Sequence, residues 1–177
     1  MQFKSQDPTL QVDDKMLEAA LLDFDIDTFR EYFFSLHPYD QAQFYVEVTP
    51  NKRQVMYTFL SPEEMAVIFR EIELEEEQID VFLKEMDQTY AADMLSYMYT
   101  DDVVDVLNEL ETEEREAYLE LMDDDVVEEI NEFLNYDEYT AGGIMTTEYV
   151  SVYAHSTVRE AMRVLREEAK EAETIYY

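Results

Sequence analysis

Apolar residues recur along the chain on one helical face, stop, and start again. Taking positions 0, 3, 4 and 7 as the template of such a face, Met65, Ile68, Phe69 and Ile72 form one copy, and Ile79, Phe82, Leu83 and Met86 the next. Ala91, Met94, Leu95 and Met98 follow, then Val103, Val106, Leu107 and Leu110. Two weaker copies come after them: Tyr118, Leu119 and Met122 behind Arg115, then Val127, Ile130 and Leu134, where Asn131 breaks the template. The step between copies is fourteen residues once and twelve thereafter. Because twelve residues at about 3.6 per turn do not close evenly, a single straight helix would rotate its apolar face by about a third of a turn per copy. Helices of about two turns joined by tight turns keep every face on one core, and stacked in series they make an α-solenoid.

The boundaries between copies carry residues that cap helices: Ser61 before Pro62, Asp87, Thr100, Thr112 and Asp123. Ser61-Pro62-Glu63-Glu64 and Thr112-Glu113-Glu114-Arg115 also put acids in the first turn, where the helix dipole favours them. Upstream the same plan reads less regularly, with helices near Leu17 to Phe24, from Asp27 to Leu36, after Pro38 and after Pro50. The pattern changes after the chain's two glycines, the adjacent Gly142 and Gly143. Tyr149 to Tyr153 reads as a strand, Ser156 or Thr157 caps a helix through Val158, Met162, Leu165 and Ala169, and Thr174 to Tyr177 starts a second strand. Strand, helix and the start of a strand make an unfinished βαβ-type unit.

Charge narrows the functional classes. The 177 residues include 44 acidic and 12 basic ones, a formal net charge of -32, which repels nucleic acid and anionic lipid and draws cations. No nucleic-acid partner is expected. Residues 61–140 alone hold 28 acids and three bases, Arg70, Lys84 and Arg115. A hydrophobic fraction of 47% with 14% aromatics nevertheless points to a folded chain.

Without cysteine there is no disulfide, thiolate zinc site or cysteine nucleophile, and His37 and His155 lie far apart. No nucleophile, base and orienting group recur at useful spacing, so no enzyme is expected. Apolar runs fall far short of the roughly 20 residues that span a bilayer, and Met1 to Leu10 lacks the apolar stretch of a signal peptide. The expectation is a soluble, intracellular chain.

The segment Tyr139-Thr140-Ala141-Gly142-Gly143-Ile144-Met145-Thr146-Thr147-Glu148-Tyr149-Val150, with Ser156-Thr157-Val158 and Ala172-Glu173-Thr174-Ile175-Tyr176-Tyr177 after it, resembles the cytosolic part of MgtE-type magnesium channels and transporters. In that family a helical N-terminal domain joins a pair of CBS modules through such an Ala-Gly-Gly-x-Met-Thr-x-Glu stretch. Leu36-His37-Pro38-x-Asp40 is similar to the family's early Leu-His-Pro-x-Asp turn. The expected fold is mainly α, a right-handed superhelix (α-solenoid) of short helices followed by an incomplete α/β CBS unit. Residues 1–136 would form the acidic helical domain, 137–148 the connector and 149–177 the first, truncated part of a CBS domain.

Asp101-Asp102-Val103-Val104-Asp105 is the stretch that bears on metal. Asp101 and Asp105 are i and i+4 at a helix start, so their carboxylates project from one face about 6 Å apart. Like charges that close repel, and a hard dication relieves the repulsion through oxygen ligands or coordinated waters. Acids at a helix N-terminus also serve simply to complement its dipole. The resemblance implies more: Asp101, Asp105 and the backbone of Gly143 as Mg²⁺ positions, Asp102 as a possible further one, and Tyr177 at a CBS nucleotide site that takes ATP.

A further acidic metal position of the family matches Val67 here, with Glu63 and Glu64 beside it. The implied role is cytosolic Mg²⁺ sensing: ions bound between the acidic helical domain and the CBS region hold a channel pore closed. The implied partners are the remaining CBS and transmembrane parts of the same channel, in a homodimer on the cytoplasmic side of the cell membrane. Contact with the membrane would come only through the transmembrane part. The alternative is a protein-interaction scaffold, since flagellar rotor proteins share the superhelical shape.

Blander assignments cover the other conspicuous residues. Asp123-Asp124-Asp125 reads as a solvated cap, lacking the glycine and spaced ligands of a calcium loop. The ten methionines fall largely on the apolar faces and read as core filling, and His37 reads as a turn or helix-end residue.

Overall fold

The structure, a computed structural model, describes residues 13–72, 76–136, 140–142, 145 and 149–168, with the side chains of 76–78 left aside. Among these residues there are eleven helices and no strand. The helices are α1 (Asp14–Leu22), α2 (Ile26–Phe33), α3 (Pro38–Glu47), α4 (Pro50–Phe59), α5 (Pro62–Arg70), α6 (Glu76–Glu85), α7 (Gln88–Ser96), α8 (Thr100–Asn108), α9 (Thr112–Leu119), α10 (Asp124–Leu134) and α11 (Val158–Glu168).

The first residues of α1 to α10 are 14, 26, 38, 50, 62, 76, 88, 100, 112 and 124. The twelve-residue step therefore runs through the whole helical stack, including the upstream part where the apolar pattern looked irregular. Its one exception is the fourteen-residue step from α5 to α6. Three residues past the helix start stand Leu17, Phe29, Met65, Ala91 and Val103, all buried. Upstream this register is masked at two places, where Gln41 and Arg53 hold the same buried position.

Each polar intruder has an internal partner. The Gln41 amide Nε2 donates to the Leu36 carbonyl at 3.1 Å. Arg53, 6% exposed, makes two charge-assisted bonds to the Glu85 carboxylate, at 2.6 and 2.8 Å, and its Nη1 donates to the carbonyls of Tyr45 and Val48. Its guanidinium lies 4.9 Å from the Phe82 ring centroid and 5.6 Å from that of Tyr45. The Tyr45 and Tyr57 hydroxyls share a hydrogen bond of 2.7 Å beside this pair. Burial pushes Tyr57 up to about 12 and Tyr45 higher still.

From α3 on, most of the packing runs in steps of two: α3 lies against α5, α5 against α7 and α7 against α9, and α8 packs on α10, while α6 also touches its neighbour α7 and, at the start of the chain, α1 packs on α2 and α4. The odd helices from α3 to α9 thus form one line of contacts, with α8 and α10 paired in the same way, as short helices stacked in an α-solenoid do. Positions one past the apolar template, Ala66, Ala92 and Val104, are buried as well, because a helix inside a stack meets neighbours on more than one side.

Helix starts follow the sequence with two corrections. Ser61 and Glu64 form a reciprocal capping box, Asp87 accepts from the amides of Thr89 and Tyr90, and Asp123 is the N-cap of α10. Thr100 and Thr112 are not caps: the caps are Tyr99 and Glu111, whose extended backbones carry the carbonyls that accept from Val103 and Arg115. Each helix begins at the hydroxyl residue itself, one residue earlier than a cap there would start it. His37 caps α3, its Nδ1 accepting from the Tyr39 amide at 3.3 Å.

Past the stack, Gly142 lies under the Tyr136 ring, and a Cβ on it would come within 2.6 Å of the ring's Cγ. Glycine is required here by close approach. Tyr149 to Tyr153, expected as a strand, has no strand assignment, and the second expected strand at 174–177 lies outside the described residues. An extended segment becomes a strand only by pairing, and the described residues supply it no ladder. The expected helix is present as α11: Thr157 and Glu160 bond reciprocally ahead of it, and none of its residues is buried.

Candidate functional site

The acids singled out by the sequence lie in the first two turns of α8. Asp101 and Asp102 are half-buried and Asp105 is exposed, while Val103, Val104, Val106 and Leu107 behind them are buried. This is the 3.6-residue period at work: the apolar face anchors the helix and turns the acids outward. One carboxylate oxygen of Asp101, Oδ1, is itself enclosed.

The fixed end of α8 owes nothing to a side-chain cap, since Tyr99 makes no such bond. Thr100 does part of that work differently. It is 7% exposed, and its Oγ1 donates to Oε1 of Glu129 on α10 at 3.2 Å. Sequence reasoning took Thr100 for a cap and gave Glu129 no role. The sequence carries no local signal for this contact, which joins residues 29 apart. A cavity of about 160 Å³ borders this contact, lined by Leu95, Ser96, Met98, Val103, Val126 and Ile130 together with the bonded pair.

Nearby on α5, Arg70 stacks its guanidinium 3.9 Å from the Tyr99 ring centroid, bringing one of the block's few cations next to the start of α8. Val67 is part-exposed on the same helix, and its acidic neighbour Glu64 is engaged elsewhere. Arg30 grips Glu64 with bonds of 2.6 and 2.9 Å and donates to the Phe59 carbonyl at 2.8 Å. The Arg30 hydrogen bonds hold the Glu64 carboxyl below its ordinary value of 4.5. Asp123, Asp124 and Asp125 are all exposed, as expected of a solvated cap.

Oxygen donors suit a hard cation, yet among the described residues no three carboxylate or imidazole side chains converge to hold an ion. Mg²⁺ keeps several waters and commonly takes one or two carboxylates, so this face fits it only with further ligands from elsewhere. Gly143 and Tyr177, the other two expected site residues, lie outside the described residues.

Fold and face together define an acidic α-solenoid with an outward carboxylate pair. The pattern of the MgtE intracellular N domain matches residues 36–139, and the chain belongs to the MgtE family. It is 47% identical to "Magnesium transporter MgtE" of Enterococcus faecalis over 92% of this chain and 36% of that protein. The chain thus spans about a third of the length of the curated relatives it matches. Among solved structures it superposes on "Crystal structure of the soluble part of a magnesium transporter" with a TM-score of 0.87 and 46% identity, covering 92% of this chain and 64% of the other. It also matches "Crystal structure of the cytosolic domain of the Mg2+ channel MgtE in complex with ATP", with a TM-score of 0.76, 31% identity, and 92% and 66% coverage. No described helix is long and apolar enough to cross a membrane.

Proposed function

We propose that the chain is the cytosolic Mg²⁺-sensing region of a magnesium channel or transporter. In this reading Asp101 and Asp105, with Asp102 beside them and the Gly143 backbone in the connector, meet Mg²⁺ between the helical domain (1–136) and a CBS portion (149–177). The observation that carries it is the outward acidic turn of α8 within a chain of the MgtE family. At low Mg²⁺ the crowded carboxylates repel acidic surroundings and the parts separate. At high Mg²⁺ the ion neutralises them and favours one arrangement, which in the whole protein holds the pore closed. Taking such an equilibrium from mostly open to mostly closed needs about 5 kcal/mol of differential binding, within reach of several weak sites together.

The same reading assigns the remaining CBS and transmembrane parts as partners within one protein, a homodimer as the assembly, and the cytoplasmic face of the membrane as its place. Tyr177 would then belong to a nucleotide site for ATP, the ligand named for one solved relative.

The test is thermal unfolding in millimolar MgCl₂ against KCl of matched ionic strength, for the wild type and for the double variant Asp101→Asn, Asp105→Asn. A midpoint raised by Mg²⁺ well beyond KCl, and lost in the variant, is the expected result. Equal responses of both proteins would reduce the acids to a diffuse cation atmosphere and overturn the reading for this chain.

A further inference from the structure

α8 differs from its neighbours at its first residue. The helices of the stack whose first side chain is described begin with Asp14, Ile26, Pro38, Pro50, Pro62, Gln88, Thr100, Thr112 and Asp124, and of these Thr100 alone is buried. Its hydroxyl is not spent on capping, because the cap position belongs to Tyr99 and carries no side-chain bond. It reaches instead across the row to Glu129 on α10, 29 residues along the chain. α8 and α10 pack on each other, and a cavity of about 160 Å³ lies beside the contact. The hydrogen bond adds a directional contact to that packing.

Thr100 is joined by one peptide bond to Asp101, so whatever fixes Thr100 fixes the turn from which the acids project. We infer that the Thr100–Glu129 hydrogen bond is a positioning contact: it holds the acidic turn of α8 in register with α10 and couples cation occupancy on α8 to the last helix before the connector. Thr100 and Glu129 act through the aspartates and are not themselves ligands. This inference rests on the Mg²⁺ reading above, and its test separates the two.

The test compares wild type, Thr100→Val, Thr100→Ser and Glu129→Gln in the whole 177-residue chain, with Asp101→Asn, Asp105→Asn as control. Two readouts are taken: the Mg²⁺ concentration giving half of the KCl-corrected rise in melting midpoint, and amide hydrogen exchange of residues 101–104 without Mg²⁺. Valine keeps the shape of threonine and deletes the donor, serine restores the donor, and glutamine keeps an acceptor while removing the charge. Losing one such bond should raise the half-effect concentration by about three- to tenfold in Thr100→Val and speed exchange in the first turn of α8, with Thr100→Ser and Glu129→Gln staying near wild type.

An unchanged Thr100→Val, in either readout, overturns the inference while leaving the Mg²⁺ reading intact. A shift in Thr100→Ser as large as in Thr100→Val also overturns it, because volume rather than the hydroxyl would then be responsible. A shift in Glu129→Gln alone makes Glu129 a contributor of charge and overturns it as well. If the aspartate control responds to Mg²⁺ as wild type does, the Mg²⁺ reading fails and takes the coupling with it, whatever the exchange data say.

Discussion

Arg53 occupies a position that the register of the stack reserves for apolar side chains, and the chain meets the cost of burying it with two carbonyls, two aromatic faces and the Glu85 carboxylate. Breaking such a pair leaves an uncompensated charge, so Arg53→Met should lose about 3 kcal/mol of stability in urea unfolding. A loss under about 1 kcal/mol would mean that solvent screens the pair as at a surface. The Arg30–Glu64 pair, more open, gives a pH signature instead. Because the Glu64 carboxyl sits below 4.5 when folded, its contribution is present above that value and fades as pH falls through the lower, folded one. The stability gap between wild type and Glu64→Gln should therefore be constant near neutrality and close below about pH 4.5. A gap that persists into strong acid would disconnect Glu64 from its cation. At the other end, Tyr57, raised from 10 to about 12, loses stabilisation as pH climbs from 10 toward 12, and its ultraviolet titration should lag behind that of exposed tyrosines.

Individual helices show how much of the fold the sequence makes legible. The apolar template found the four copies from Met65 to Leu110 because their template positions carry apolar residues without interruption, and it weakened where Arg115 and Asn131 intrude. It lost the rhythm upstream, where Gln41 and Arg53 sit in the core, the first held by a carbonyl five residues away and the second by nearby carbonyls and by Glu85, 32 residues along the chain. Caps were legible at Ser61 and Asp87, whose side chains bond the backbone, and at Asp123, which caps by position alone, and misread at Thr100 and Thr112, which are the first residues of their helices. Ser61→Ala should accordingly cost about 1 kcal/mol in thermal or urea unfolding, and Thr112→Ala less than about 0.5 kcal/mol. Equal costs would show that the hydroxyl type, not its bond, matters. Of the site, the acids could be read from residue type and spacing, since i and i+4 are local. The Thr100–Glu129 contact could not, because it depends on which helices share a row.

Over the whole molecule, charge and stacking oppose each other. A net charge of -32 on a chain of this size repels itself, and monovalent salt should raise the melting midpoint progressively, with KCl and NaCl equivalent at equal ionic strength. A midpoint insensitive to salt would mean that the acids are spaced widely enough not to feel one another. The core that resists this repulsion is quasi-one-dimensional, each helix relying on near neighbours, so a large-to-small change such as Leu95→Ala acts first on α7 and the helices beside it.

The alternation of rows has a consequence for how such a chain can change length. Along α3, α5, α7 and α9, and again for α8 and α10, each helix meets the one two units on, so this part of the stack has a parity. Deleting a single unit, α9 for instance, would carry α10 across to the opposite row and part Glu129 from Thr100, although every remaining helix kept its own sequence. Removing two consecutive units would return the following helix to its side. Viable relatives of this architecture should therefore grow and shrink by helix pairs, and an odd change in number would have to be absorbed at an end of the stack.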